Sequence, residues 1–300
     1  MSDLPNLYVP GAMKSGTSSL WGYLNQHPDI FMSAIKEPGF WVDDKQFPHF
    51  EPYKALFKDG KTHLYRGDAS AAYMTFDHFT ERIKAFTPEV KFIFILRNPI
   101  DRAWSHYWFL KGIGFADAPF EETFLNSVDE KLDYSRYKIT NGVQYYYSFG
   151  LYGQSLNRFF QSFEAGNILI IETEDLKNNP LKTMNTCFQF LDLPLLDSIV
   201  EQHLNPTVLL RNPDKYHKNL NYLYGKNPVK TFLKKIIPTS LGQMIRRKVS
   251  RQLFTTNKTD MSYPEMTTAE RAWVASFYQE DMAQLKELTG LSFFRWKDFQ

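Results

Sequence analysis

Apolar positions along this chain alternate between short continuous runs and runs at helical spacing. Leu7-Tyr8-Val9, Asp29-Ile30-Phe31-Met32, Leu64-Tyr65-Arg66-Gly67-Asp68, residues 90–96 (VKFIFIL) and residues 167–172 (NILIIE) have the length and content of strands. The fourth is apolar on both faces, as a central parallel strand is. Leu20, Tyr23 and Leu24 sit at helical spacing and stop at His27-Pro28. Further helices are predicted over 77–86, closed by Pro88, over 99–110, opened by Pro99, and around 119–127, 150–163 and 180–191. Two amphipathic stretches, 228–237 and 241–254, and a long helix over 267–288 complete the pattern. Residues 43–63, polar, aromatic and Pro-containing, read as irregular. Strands alternating with helices predict an α/β fold: one domain over residues 1–300, a central, mostly parallel sheet flanked by helices, and a basic helical elaboration at about 214–260.

Composition narrows the class. Three hundred residues with 43% apolar content can bury a large core. The single cysteine, Cys187, excludes an intrachain disulfide, and its setting, Thr-Cys-Phe-Gln-Phe-Leu, is an apolar helical face where packing is expected. No run approaches the ~18 apolar residues of a membrane span, and residues 1–10 lack the basic and apolar regions of a signal peptide, so a cytoplasmic protein is expected. The seven histidines contain no i,i+4 pair and no grouping with cysteine, which argues against structural zinc. Net charge is only +2, yet Lys215 to Thr259 holds eleven Lys or Arg and no acid. A solvated basic face would explain that stretch. So would a site for an anionic acceptor, or peripheral contact of 228–254 with an anionic membrane. No nucleic-acid partner is expected.

The chemistry concentrates in three places. After the first strand comes Gly11-Ala12-Met13-Lys14-Ser15-Gly16-Thr17-Ser18-Ser19, and then the first helix. Strand, Gly-bearing loop and helix make an anion cradle, because unpaired first-turn N–H groups and the helix dipole favour negative charge. Lys14 adds a cation, and Thr17, Ser18 and Ser19 add hydroxyls. An ordinary strand-to-helix turn seldom collects all of these. The nucleoside-triphosphate loop places Lys directly before Ser/Thr at its end, whereas Lys14 comes two residues before Gly16. After the strand 90–96, a kinase would usually carry a magnesium-holding acid. Here Arg97 stands at that point, with Ser105 two helical turns on; Arg97 could grip phosphate or merely pair with Asp101. Third, Lys36-Glu37-Pro38 follows the second strand. Alone, a Lys-Glu pair is usually a surface ion pair that contributes little.

The spacing G-x-x-K-S-G-T-[ST]-x-L resembles the 5′-phosphosulfate loop of sulfotransferases that use 3′-phosphoadenosine 5′-phosphosulfate (PAPS). Arg97-Asn98-Pro99-Ile100-Asp101-Arg102-Ala103-Trp104-Ser105 is similar to their R-[ND]-P-x-x-R-x-x-S segment, and Lys36-Glu37-Pro38-Gly39-Phe40-Trp41 resembles K-E-P-x-F-[FW] of the branch with carbohydrate sulfotransferases. Residues 67–73, GDASAAY, look like G-E-x-[ST]-P-x-Y, with Asp68 for Glu, Ala71 for Pro, and Ala69 where some glycan-acting members carry Lys; that departure weighs against a heparan-like acceptor. Glu172-Asp175-Leu176, Pro180, Phe190-Leu191 and Leu193 match a further family pattern, read as structural. The likeness runs from Tyr8 to about Leu204 and from Ser262 to Trp296.

This resemblance implies a P-loop-like fold and in-line transfer of a sulfuryl group from PAPS to a hydroxyl, less readily an amine, of a glycan or other small acceptor, neutral or anionic, with no metal required. Lys14, Ser15, Gly16, Thr17, Ser18 and Ser19 would hold the 5′-phosphosulfate, and Arg97 and Ser105 the 3′-phosphate. Glu37 would be the base, with His106 as the alternative, since some branches use His. Lys258 stands where basic residues often cover the cofactor, although Lys258-Thr259-Asp260 fits that pattern poorly. The other readings are a magnesium-dependent kinase and a non-catalytic nucleotide- or membrane-binding protein.

Overall fold

A computed structural model describes residues 4–47, 49–87, 89–135, 144–201 and 263–300. The stretches 228–237 and 241–254, and Lys258, lie outside the described residues. The chain divides into two compact units: Met1–His106 with Phe120–Pro206 and Met266–Gln300, and Tyr107–Pro119 with Thr207–Glu265. In the second, Trp108 stacks on Tyr263 with centroids 5.9 Å apart, and the Tyr107 hydroxyl donates to the Ala118 carbonyl.

The first unit is built on a five-stranded, all-parallel sheet: β1 (Leu7–Tyr8), β2 (Ile30–Met32), β3 (Tyr65–Asp68), β4 (Lys91–Leu96) and β5 (Ile168–Glu172), in the spatial order β2-β3-β1-β4-β5. β4 is buried at every position but Lys91, and it pairs with β5 from Phe92↔Ile168 to Leu96↔Glu172. Both faces are covered, so an uninterrupted apolar run is what the position demands. Helix α1 (Thr17–Leu24) lays Leu20, Tyr23 and Leu24 into a core shared with Ile93, Ile95, Met184 and Phe188. Cys187 lies in that core, and burial pushes its thiol up to about 12, which suits packing and not nucleophilic attack.

Helices α2 (Phe50–Lys54), α3 (His78–Phe86), α4 (Pro99–Gly112), α5 (Phe120–Val128), α6 (Tyr152–Ser162), α7 (Thr173–Asn178), α8 (Pro180–Phe190), α9 (Thr268–Ser276) and α10 (Gln279–Thr289) complete the described elements, with short 3₁₀ turns between them. Two sequence expectations change. Residues 43–63 are not irregular throughout: α2 and a 3₁₀ turn at Ala55–Gly60 fold there around an aromatic cluster, in which Phe40 stacks on Tyr53 at 4.3 Å. The long helix over 267–288 is two helices. Tyr278, fully buried, breaks it because its hydroxyl donates to the Tyr146 and Tyr147 carbonyls at 3.0 and 3.2 Å. Beyond the break, the Asp281 carboxylate accepts the Gly153 and Gln154 N–H groups and so caps α6. Among the described residues, no helix is long and apolar enough to cross a membrane.

Candidate active site

Chain order makes the crevice. β1 leads away toward β2, while its neighbour β4 leads the other way toward β5, so the sheet's switch point lies at the carboxyl ends of β1 and β4. Those ends continue into the Lys14 loop and into Arg97.

The loop backbone is pinned carbonyl by carbonyl. The Met74 N–H donates to the Pro10 carbonyl (2.9 Å), Ile95 N–H to Gly11 (2.9 Å), Ser15 N–H to Ala12 (3.2 Å), Arg97 Nη1 to Lys14 (3.5 Å) and Leu20 N–H to Gly16 (3.0 Å). The Thr173 hydroxyl is shared between the carbonyls of Ser15 (2.6 Å) and Leu96 (3.0 Å), tying the end of β5 to the loop. Gly16, at φ 99°, takes the left-handed turn that starts α1, and that helix has neither a capping side chain nor an acid in its first turn. Its N-terminus faces the crevice as a positive dipole end.

Cations crowd the same point. Burial and the charges of Arg97, Lys36 and Arg102 lower the Lys14 ammonium from 10.5 to about 8, against the opposing pull of Glu37. Asp101 is taken by Arg271 at 2.5 Å, and Arg271 also binds Asp298, so the pairing of Arg97 with Asp101 does not occur. Arg97 is placed by the Tyr152 hydroxyl, which donates to its carbonyl at 3.0 Å, and by Asn98, whose Oδ1 caps α4 through the Ile100 N–H. Arg102, Ser105 and His106 are spaced along one face of α4, all buried. Arg102 donates to the Tyr146 carbonyl, and its charge acts on Lys14 as that of Lys14 acts on His106.

The two proposed bases occupy opposite settings. His106 is sealed against Tyr146, and burial together with Arg102 and Lys14 holds its imidazole well below the usual range. Glu37 is exposed, at a left-handed φ of 57°, and its charge reaches Lys14. The ion pair expected of an adjacent Lys and Glu is present: Lys36 Nζ lies 2.6 Å from Glu37 Oε1. Lys14, Ser15, Gly16, Thr17, Ser18, Ser19, Arg97 and Glu37 thus stand on loops and a helix start at strand carboxyl ends, with Ser105 and His106 on α4 behind them. Sequence reasoning gave no role to Thr173 or Tyr152, and it named Arg102 and Asp68 only as letters of a pattern. Thr173 opens α7, whose start was legible in Glu174 and Asp175 of its first turn. Arg295 pairs with Asp175 at 2.7 Å, in keeping with a structural role for the E-D-L pattern.

Comparison with known proteins agrees with this fold. Residues 5–286 match the family model described as a sulfotransferase domain. Carbohydrate sulfotransferase 15 of Mus musculus is 27% identical over 247 residues, covering 63% of this chain and 44% of that protein. The bifunctional heparan sulfate N-deacetylase/N-sulfotransferase 1 of Mus musculus is 24% identical over 293 residues, 95% of this chain and 29% of that protein. The chain therefore spans less than half the length of these relatives. A sulfotransferase crystal structure from Alicyclobacillus acidocaldarius superposes with a TM-score of 0.67 at 22% identity, over 98% of this chain and 99% of that one.

Proposed function

Because the chain belongs to the sulfotransferase family, whose sulfuryl donor is PAPS, we propose that it transfers a sulfuryl group from PAPS to a hydroxyl, or less readily an amine, of a glycan-type acceptor, with Glu37 taking the proton. The observation that carries this reading is the crowding of Lys14, Arg97, Lys36 and Arg102 at an uncapped helix start. Gathering cations until one of them is held near 8 is costly, and a polyanionic ligand offsets that cost.

The residues suit such a donor. Lys14 would neutralise charge growing on the 5′-phosphate, and the N–H groups and hydroxyls from Ser15 to Ser19 would hold its oxygens. Arg97 and Ser105 would select the 3′-phosphate, which ATP lacks. When bound, PAPS supplies an activated sulfuryl group on a good leaving group. The chain's own work is then positioning and charge stabilisation. Glu37, exposed and within reach of the Lys14 charge, is the group favoured to accept the acceptor's proton; the burial and low basicity of His106 count against it. The names of the two mouse relatives favour a carbohydrate acceptor, and Ala69, in place of a family Lys, disfavours a heparan-like one.

The test is calorimetry with the product nucleotide 3′-phosphoadenosine 5′-phosphate (PAP) and with ATP, each with and without magnesium, followed by PAPS turnover over a panel of glycans. PAP should bind without magnesium and ATP poorly. Equal binding of the two nucleotides would sink the assignment, and PAP binding with no turnover on any acceptor would return the chain to the class of nucleotide-binding proteins.

A further inference from the structure

We propose that Asp68 and Ser70 are positioning residues that hold the Glu37 turn in its working shape, an inference that rests on Glu37 acting as the base. The turn is unusual. Glu37 carries a side chain at φ 57° and Gly39 follows at φ 66°. A left-handed residue with a Cβ persists only when its surroundings over-determine it. Here the surroundings are one segment, residues 68–70, at the end of β3.

Two N–H groups of the turn land on that segment. Glu37 N–H donates to the Ala69 carbonyl at 3.1 Å, and Gly39 N–H donates to Ser70 Oγ at 3.1 Å. Ser70 can accept there because its own proton is committed elsewhere: Ser70 Oγ donates to Asp68 Oδ1 at 2.7 Å. The acid therefore sets the polarity of the hydroxyl. Asp68 in turn cannot rotate away. Its Oδ2 accepts the hydroxyls of Tyr53 (2.7 Å) and Tyr73 (2.8 Å), and the Trp41 indole N–H bonds the Tyr53 and Tyr8 oxygens at 3.0 Å each. Asp68, Ser70 and Tyr73 are all sealed from solvent. On its far side the turn is closed by Tyr134, whose hydroxyl a Cβ at Gly39 would overlap.

A carboxylate fixed by three hydroxyl donors, which hands its orientation through a serine to the backbone beside Glu37, is more than core packing requires. A hydrophobic cluster would cost less than a buried acid. What the acid adds is direction: a single arrangement of protons, and hence a single position for the Gly39 amide.

The experiment uses the full chain with Ser70→Ala, with Ser70→Thr, which keeps the hydroxyl, and with the isosteric Asp68→Asn. Hydrogen exchange at the amides of Glu37 and Gly39, the two that residues 37–39 possess, and kcat against PAPS are read in each, with melting temperature as the folding control. Ser70→Ala and Asp68→Asn should speed exchange at 37–39 and lower kcat by about tenfold, roughly the worth of one hydrogen bond. PAP affinity should hold, and Ser70→Thr should restore both signals. Added to Glu37→Gln, Ser70→Ala should lower kcat no further. Wild-type exchange at 37–39 in a folded Ser70→Ala protein overturns the proposal, and so does an undiminished loss of kcat in the Glu37→Gln background. Wild-type kcat in Glu37→Gln alone would defeat the base assignment by itself, and the exchange data at 37–39 would still decide whether the frame holds the turn.

Discussion

Two charges, one half-buried and one fully buried, sit at neighbouring strand ends and are treated in opposite ways. Lys14, after β1, faces three cations and one carboxylate, and the result is an ammonium lowered to about 8. Asp68, at the end of β3, is pushed up to about 6 by burial, yet both of its oxygens are met by hydroxyl donors. The acid is met by hydroxyls alone, whereas the charges acting on Lys14 are three cations against the single carboxylate of Glu37. Neutral donors around a buried acid build scaffold, and an excess of one charge sign suits a ligand of the other. Desolvation shifts both residues; the sign and kind of their neighbours separate them.

The comparison can be broken at either end. The largest effect is expected from Glu37→Gln, which keeps size and hydrogen bonding but removes proton acceptance: kcat should fall ~10²–10⁴, with melting temperature and PAP affinity near wild type. His106→Ala run beside it should lose less; a near-normal Glu37→Gln with a folded, inactive His106→Ala would transfer the role to His106. Next, Lys14→Met removes one preorganised cation, and steady-state assays with PAPS should show kcat down ~10²–10³ without loss of fold. Third, Arg97→Ala should weaken PAP about ten- to a hundredfold by calorimetry while leaving weak ATP binding unchanged, since hydrogen bonds to a charged group contribute ~1.5–3 kcal/mol. An equal loss for both nucleotides would place Arg97 elsewhere than at the 3′-phosphate. The smallest effect is on protons. A bound phosphate stabilises charged Lys14, so PAP binding takes up protons near pH 8, about half of one at the midpoint, and affinity is flat well below pH 8 and falls toward ~tenfold per unit above it. Titrations in buffers of different ionisation enthalpy measure that uptake. Lys14→Met should abolish it.

Much of this was legible in the chain because it is local. The Lys14 loop, the segment from Arg97 to Ser105 and the central strand each lie within about ten consecutive residues, where spacing carries the chemistry. The Asp68 frame was not legible: Tyr53 and Tyr73 reach one carboxylate from two segments, Trp41 holds Tyr53 from a third, and nothing in their spacing says so. The break at Tyr278 was hidden for a related reason. Periodicity reports which face is apolar, but not that a hydroxyl on that face must find the carbonyls of residues 146 and 147. Likewise, Asp101 near Arg97 in sequence offered a pairing that the distant Arg271 takes instead.

The engaged carbonyls of the first loop have an electrical consequence. From Pro10 to Gly16, the carbonyls of Pro10, Gly11, Ala12, Lys14, Ser15 and Gly16 each already receive a donor, while the helix start presents N–H groups outward. The loop therefore works as a rectifier. An arriving anion meets the positive end of the α1 dipole, whereas an arriving cation would face that same end and compete for oxygens already turned toward the donors that hold the strand ends together.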